Sequence, residues 1–157
     1  MKQNKILIPI TAGILLATLF LQNKILRKAK KWLGVREIGN NVGFDNKIFE
    51  KKLKEVGFKP GYQYCTFFVK MVLKDAGYKK LLSYINGSSR TSFEKLKNAP
   101  GTKFITEWKQ AKPGDIAFYK WTNLQLKNGG EGVALRFRKA SSLHSGNFQL
   151  LGFIRVL

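Results

Sequence analysis

Eighteen consecutive residues, Ile6 to Asn23, carry no charge, and Ile6 to Leu21 is almost wholly apolar. At the helical rise such a run is about 27 Å long, close to the roughly 30 Å of a bilayer core. Pro9 falls in its first turn, where a missing N–H does little harm. A cleavable export signal would end in small residues, but the exit here reads Leu19-Phe20-Leu21-Gln22-Asn23-Lys24. An uncleaved, single-pass N-terminal transmembrane anchor over 1–23 is therefore expected in preference to a signal. Lys24, Arg27, Lys28, Lys30 and Lys31 follow at once and suit an anionic headgroup layer, so 24–34 is expected to be a basic juxtamembrane helix. By count of Lys and Arg this flank would face the cytoplasm.

Charge narrows the partners. The chain has 29 Lys+Arg against 9 Asp+Glu, a net +20. Only Lys2 and Lys5 precede residue 24, so the other 27 basic residues and all nine acids follow, leaving +18 on that part. An excess of this size points to a polyanionic surrounding: nucleic acid, anionic lipid headgroups or the anionic polymers of a bacterial wall. Cys65 is the one cysteine and His144 the one histidine. This excludes an intrachain disulfide and the usual thiolate zinc sites. No cofactor is expected.

Residues 35–157 read as one domain. Gly34 to Gly43 is loop-like. Asp45 or Asn46 can cap a helix bearing the stripe Ile48, Phe49, Leu53 and Val56, closed by Gly57. After the turn Lys59-Pro60-Gly61, a further helix runs from about Tyr64 to Ala76, with Cys65, Phe68, Val69, Val72 and Leu73 on its apolar face and Gly77 at its end. Residues 79–99 suggest short helices and loops. Pro113-Gly114 then opens a strand over 115–119, and 128–130 is a turn. Further strands are expected over 132–137, 143–150 and 152–157. Helices first and strands last give an α+β class, with helices packed on a small antiparallel sheet.

Cys65 carries the chemistry. A thiol at a helix N-terminus feels the positive end of the macrodipole and free backbone N–H groups, which favour thiolate and can stabilise an oxyanion in acyl transfer. The same residue could equally be a structural cysteine packed with Phe68 and Val69, since free cysteines are often buried.

Several segments, in order, resemble one family. They are Ala29-Lys-Lys-Trp-Leu-Gly-Val-Arg-Glu37, Gly61-Tyr-Gln-Tyr-Cys65-Thr-Phe-Phe-Val69 with Asp75-Ala-Gly77, Lys112-Pro-Gly-Asp-Ile-Ala-Phe-Tyr119, Ser145-Gly-Asn147, and Gly152-Phe-Ile-Arg-Val156. Together they resemble the CHAP domains, the cysteine, histidine-dependent amidohydrolase/peptidases of the papain-like group that includes the NlpC-type cell-wall peptidases. The resemblance spans about residues 29–157. It implies a papain-like fold and a metal-free, cysteine-dependent amidase or endopeptidase acting on peptidoglycan, as in phage lysins and bacterial autolysins. Cys65 then falls on the nucleophile and Asn147 on the residue that orients the base.

The sequence departs from the family at the base. The histidine that opens a strand there is absent from Gly130-Glu131-Gly132-Val133-Ala134-Leu135, where Glu131 stands in or beside its place. A carboxylate near pKa 4.3 is a poor base for a thiol near 8.5, and close by it would oppose thiolate formation. His144, just before Ser145-Gly146-Asn147, is the other candidate base. In a regular strand it points away from the face shared by Ser145 and Asn147, unless a one-residue bulge at Gly146 turns it inward.

Three functions from different classes follow. The first is a membrane-anchored peptidoglycan hydrolase. The second is a degenerate relative that keeps the fold, as a structural or wall-binding membrane protein. The third is a basic domain contacting nucleic acid or lipid headgroups, with aromatics interleaved at Phe118, Tyr119, Trp121 and Phe137. The expected home is a membrane. The positive flank conflicts with a role in the wall, and because lytic domains of the family it resembles are common in phages, the internal membrane of a virus particle, carried to the host wall at entry, is one such home.

Overall fold

The computed structural model describes residues 24–39, 41–121, 131–135 and 148–157. The apolar segment 6–23, the turn 128–130, the expected strand residues 136–137 and 143–147, His144 and Asn147 lie outside them. Among the described residues no helix is long and apolar enough to cross a membrane.

The chain enters through helical residues 24–30 (α1), whose Ile25 and Ala29 are buried while Arg27 and Lys30 face solvent. With Trp32, whose ring meets Phe49 at 5.2 Å, these make an i, i+4, i+7 seam that docks α1 onto the domain. The 34–43 stretch, expected as loop, holds a two-residue antiparallel ribbon, β1 (Glu37–Ile38) with β2 (Gly43–Phe44). The Asp45 side chain accepts the Arg36 N–H at its base, and the Glu37 carboxylate accepts from Asn41 N at its tip.

Helix α2 (Lys47–Lys54) is capped by Asn46, whose Oδ1 accepts from Ile48 N and Phe49 N, each at 3.0 Å. Phe49, Leu53 and Val56 are buried as the stripe requires, but Ile48 is 67% exposed. It sits 100° round the helix from Phe49 and falls off the seam. Helix α3 (Cys65–Asp75) is the central element. Thr66, Phe67, Val69, Met71, Val72 and Leu73 are all buried, covering most of its circumference. Phe67 is thus more deeply placed than Phe68, which is half-buried. Two ion pairs, Lys52–Asp75 at 2.9 Å and Lys74–Glu55 at 3.1 Å, join α2 to α3.

A 3₁₀ segment (Lys79–Tyr84) leads to α4 (Ser89–Lys97), capped by Ser88 through Thr91 N. The main sheet is fully antiparallel, in the order β3 (Thr102–Ile105), β6 (Phe148–Val156), β4 (Ile116–Trp121), β5 (Glu131–Leu135). The architecture is therefore α+β, with helices on a small antiparallel sheet. Two details differ from the sequence reading. Strand β3 was not expected at all. The segments 148–150 and 152–156 form one strand, with a register shift opposite Phe118 and Tyr119.

Gly152 explains the single strand. It sits at φ +142°, and a Cβ there would lie 2.5 Å from the Phe104 ring and 2.9 Å from the Ile105 carbonyl oxygen. Only glycine lets β3 approach β6 so closely at the bulge. At the start of β4 the Asp115 carboxylate closes its own turn by accepting from Lys112 N at 2.7 Å. It also takes a two-point contact from Arg155 of β6, Nε at 3.0 Å and Nη2 at 2.8 Å.

Candidate functional site

The segment before α3 fixes where the cysteine emerges. Gly61 turns the chain at φ +87°, and its N–H bonds the Asn41 carbonyl at 2.8 Å, tying this turn to the β1–β2 loop. Tyr64 is the N-cap residue, but it makes no side-chain cap, so the first-turn N–H groups of α3 keep their pull on a negative group. Its ring is committed elsewhere, edge-on to Phe44 at 5.1 Å.

Cys65 is the first residue of α3, as expected, and is half-buried rather than sealed. Its Sγ lies 3.9 Å from the Oγ of Ser89, the buried first residue of α4. Ser88 performs the capping of α4, which leaves the Ser89 hydroxyl to face the sulfur. The positive ends of two helices therefore meet at the thiol. Next to it, the Thr66 hydroxyl is buried without a hydrogen-bond partner among the described residues.

Two phenols complete the surroundings. Burial pushes the Tyr64 hydroxyl above its ordinary range, and the charges of Glu37 and Cys65 push the same way. Burial also raises that of Tyr119, with the Cys65 sulfur and Tyr64 adding to it. Both phenols stay protonated near neutral pH and can donate a hydrogen bond.

Glu131 is the first residue of β5, in register with Lys120 of β4. Helix α3 runs beside β5, so the strand that this residue opens is the sheet element nearest the cysteine helix. His144 and Asn147 lie outside the described residues. Among those described, no group of His, Cys, Asp and Glu could hold a metal ion.

Ser89, Tyr64 and Tyr119 were not singled out as site residues from the sequence. Tyr119 carried no usable signal, since alternation with the core residue Phe118 on β4 says only that it faces the other way. Ser89 carried none, because its proximity to Cys65 depends on how α4 crosses α3. No protein-family model, curated protein or solved structure matches this chain.

Proposed function

We propose that the chain is a membrane-anchored, cysteine-dependent peptidoglycan amidase or endopeptidase of the CHAP/NlpC type, with a papain-like domain. The observation that carries the reading is a half-buried cysteine at the start of a central helix that has no side-chain cap, alongside an antiparallel strand pair opened by Pro113-Gly114-Asp115. In this reaction the sulfur bonds to the carbonyl carbon of a peptide-stem amide, and the oxyanion takes hydrogen bonds from first-turn N–H groups. The C–N bond then breaks and the amine leaves with the proton taken from the thiol. Water hydrolyses the thioester, releasing a carboxylate and restoring the thiol. His144 is the proposed proton carrier and Asn147 its orienting neighbour, on sequence grounds; Glu131, at the head of β5, is the weaker base.

The test is solubilisation of purified cell walls by the detergent-solubilised full chain. Loss of turbidity that Cys65→Ala abolishes supports the reading, and equal behaviour of the two proteins refutes it.

A second reading rests on Glu131. A carboxylate opening β5 in place of an imidazole favours a relative that keeps the fold and wall contact without chemistry. The two are separated by alkylation of the single thiol near pH 6. Rapid modification speaks for the enzyme, and modification no faster than that of a free thiol speaks for the degenerate protein.

A further inference from the structure

The expected anchor ends at residue 23, and the described fold begins at Lys24, so the end of the domain carrying Lys24 is the end nearest the apolar segment. The structure brings a distant part of the chain to this end. The Lys24 Nζ lies against Gly77, within 3.5 Å of where a methyl on that glycine would sit. Two residues beyond Gly77 come Lys79 and Lys80, both exposed. None of the three lysines pairs with an acid among the described residues, although six other basic residues do.

Beside them opens a cavity of about 370 Å³. Tyr78, Leu81, Pro100 and Leu157 contribute its apolar lining, with Lys79 and Lys80 at its edge. Tyr78 also holds a hydroxyl that is buried with no hydrogen-bond partner among the described residues. Unpaired ammonium groups around an apolar hollow, with a tyrosine between them, match the composition of a membrane–water interface: cations for phosphate, an aromatic for the boundary, an apolar floor below.

We infer that this end of the domain is a lipid-facing surface, on which Lys24, Lys79 and Lys80 engage the phosphates of an anionic phospholipid bilayer and the Tyr78 cavity receives the glycerol or upper acyl region. The inference rests on residues 6–23 spanning the membrane and is independent of any chemistry at Cys65. Because α1 is docked through Ile25 and Ala29, the contact fixes how the whole domain sits on the bilayer. Lys47 lies beyond the other end of α1, in a shallow depression shared with Lys31, Leu33 and Val35, and so serves as the lysine on the far side from Lys24.

The test is amine labelling of the full chain with a membrane-permeant acylating reagent, read residue by residue by mass spectrometry. The chain is reconstituted in phosphatidylcholine vesicles with or without phosphatidylglycerol. Labelling of Lys79 and Lys80 should slow about fivefold in the anionic vesicles, from the attraction of one lysine to an anionic surface, while Lys47 is unchanged. Equal rates at all three lysines in both vesicles, in protein that floats with the lipid, overturn the surface assignment alone. Failure to float with either vesicle overturns the anchor and the surface together. Protection of Lys79 and Lys80 by an added oligonucleotide but not by anionic lipid assigns the patch to nucleic acid and overturns the inference as well.

Discussion

Removing the Asp115 carboxylate should destabilise the domain more than any other single change to a polar side chain described here. The side chain of Asp115 is fully buried and that of Arg155 is 12% exposed, so the carboxylate has no water to fall back on and the guanidinium little. Among the described residues Asp115→Ala breaks the bonds from Lys112 N, Arg155 Nε and Arg155 Nη2. Among the described residues Arg155 keeps the Gln110 carbonyl as an acceptor, at 2.7 Å, but has no counterion left. Breaking one side of a buried pair costs about 3–5 kcal/mol. Loss of the Lys112 turn bond should put Asp115→Ala in the upper half of that range. A double-mutant cycle with Arg155→Ala should return a coupling of about 2 kcal/mol, since with the guanidinium gone the loss of Asp115 no longer strands a charge. The assay is urea denaturation of the full chain in mild detergent, followed by near-ultraviolet circular dichroism. A cost below about 1 kcal/mol for Asp115→Ala would show that β4 and β6 are joined by their backbone ladder and not through this pair.

Two further outcomes are expected. Gly152→Ala places a methyl against the Phe104 ring and the Ile105 carbonyl in a backbone conformation that alanine resists, and should cost about 2 kcal/mol or more in the same assay; a cost near zero would mean the β3–β6 contact is looser than drawn. The Glu50 carboxyl is held down to about 2 from an ordinary 4.5, chiefly by the hydrogen bond from Lys54 and next by that from Lys47. Between those values the unfolded chain binds the extra proton, so this contribution is complete above about pH 4.5 and is lost as pH falls towards 2. Glu50→Gln should flatten that part of the stability profile, and an unchanged slope would refute the assignment.

The helices were legible because their signals are local. The Asn46 cap, the Phe49–Leu53–Val56 seam and the Gly57 and Gly77 stops each lie within a few residues of what they control. Cys65 at the head of α3 followed from the same kind of evidence. What escaped the sequence reading was set by distant partners. Strand β3 is only four residues long and exists through pairing with β6, about fifty positions away. Gly152 looked like a break between two strands because glycine usually interrupts a ladder, yet here it lets a third strand come close. Ile25 and Ala29 read as part of a basic stalk, since five cations surround them, but burial is decided by the one face that meets Phe49 and its neighbours. The Ser89 contact with Cys65 belongs to this second class, being a product of helix crossing and not of spacing.

The central claim concerns one thiol, and Cys65 is the one cysteine of the chain. Carbamidomethylation of the full chain can be followed by intact mass while solubilisation of purified cell walls is measured on the same samples. The account predicts that the fraction of wall-solubilising activity lost equals the fraction of Cys65 modified throughout the time course. Undiminished solubilisation by fully modified protein, or none from the unmodified chain, would contradict it.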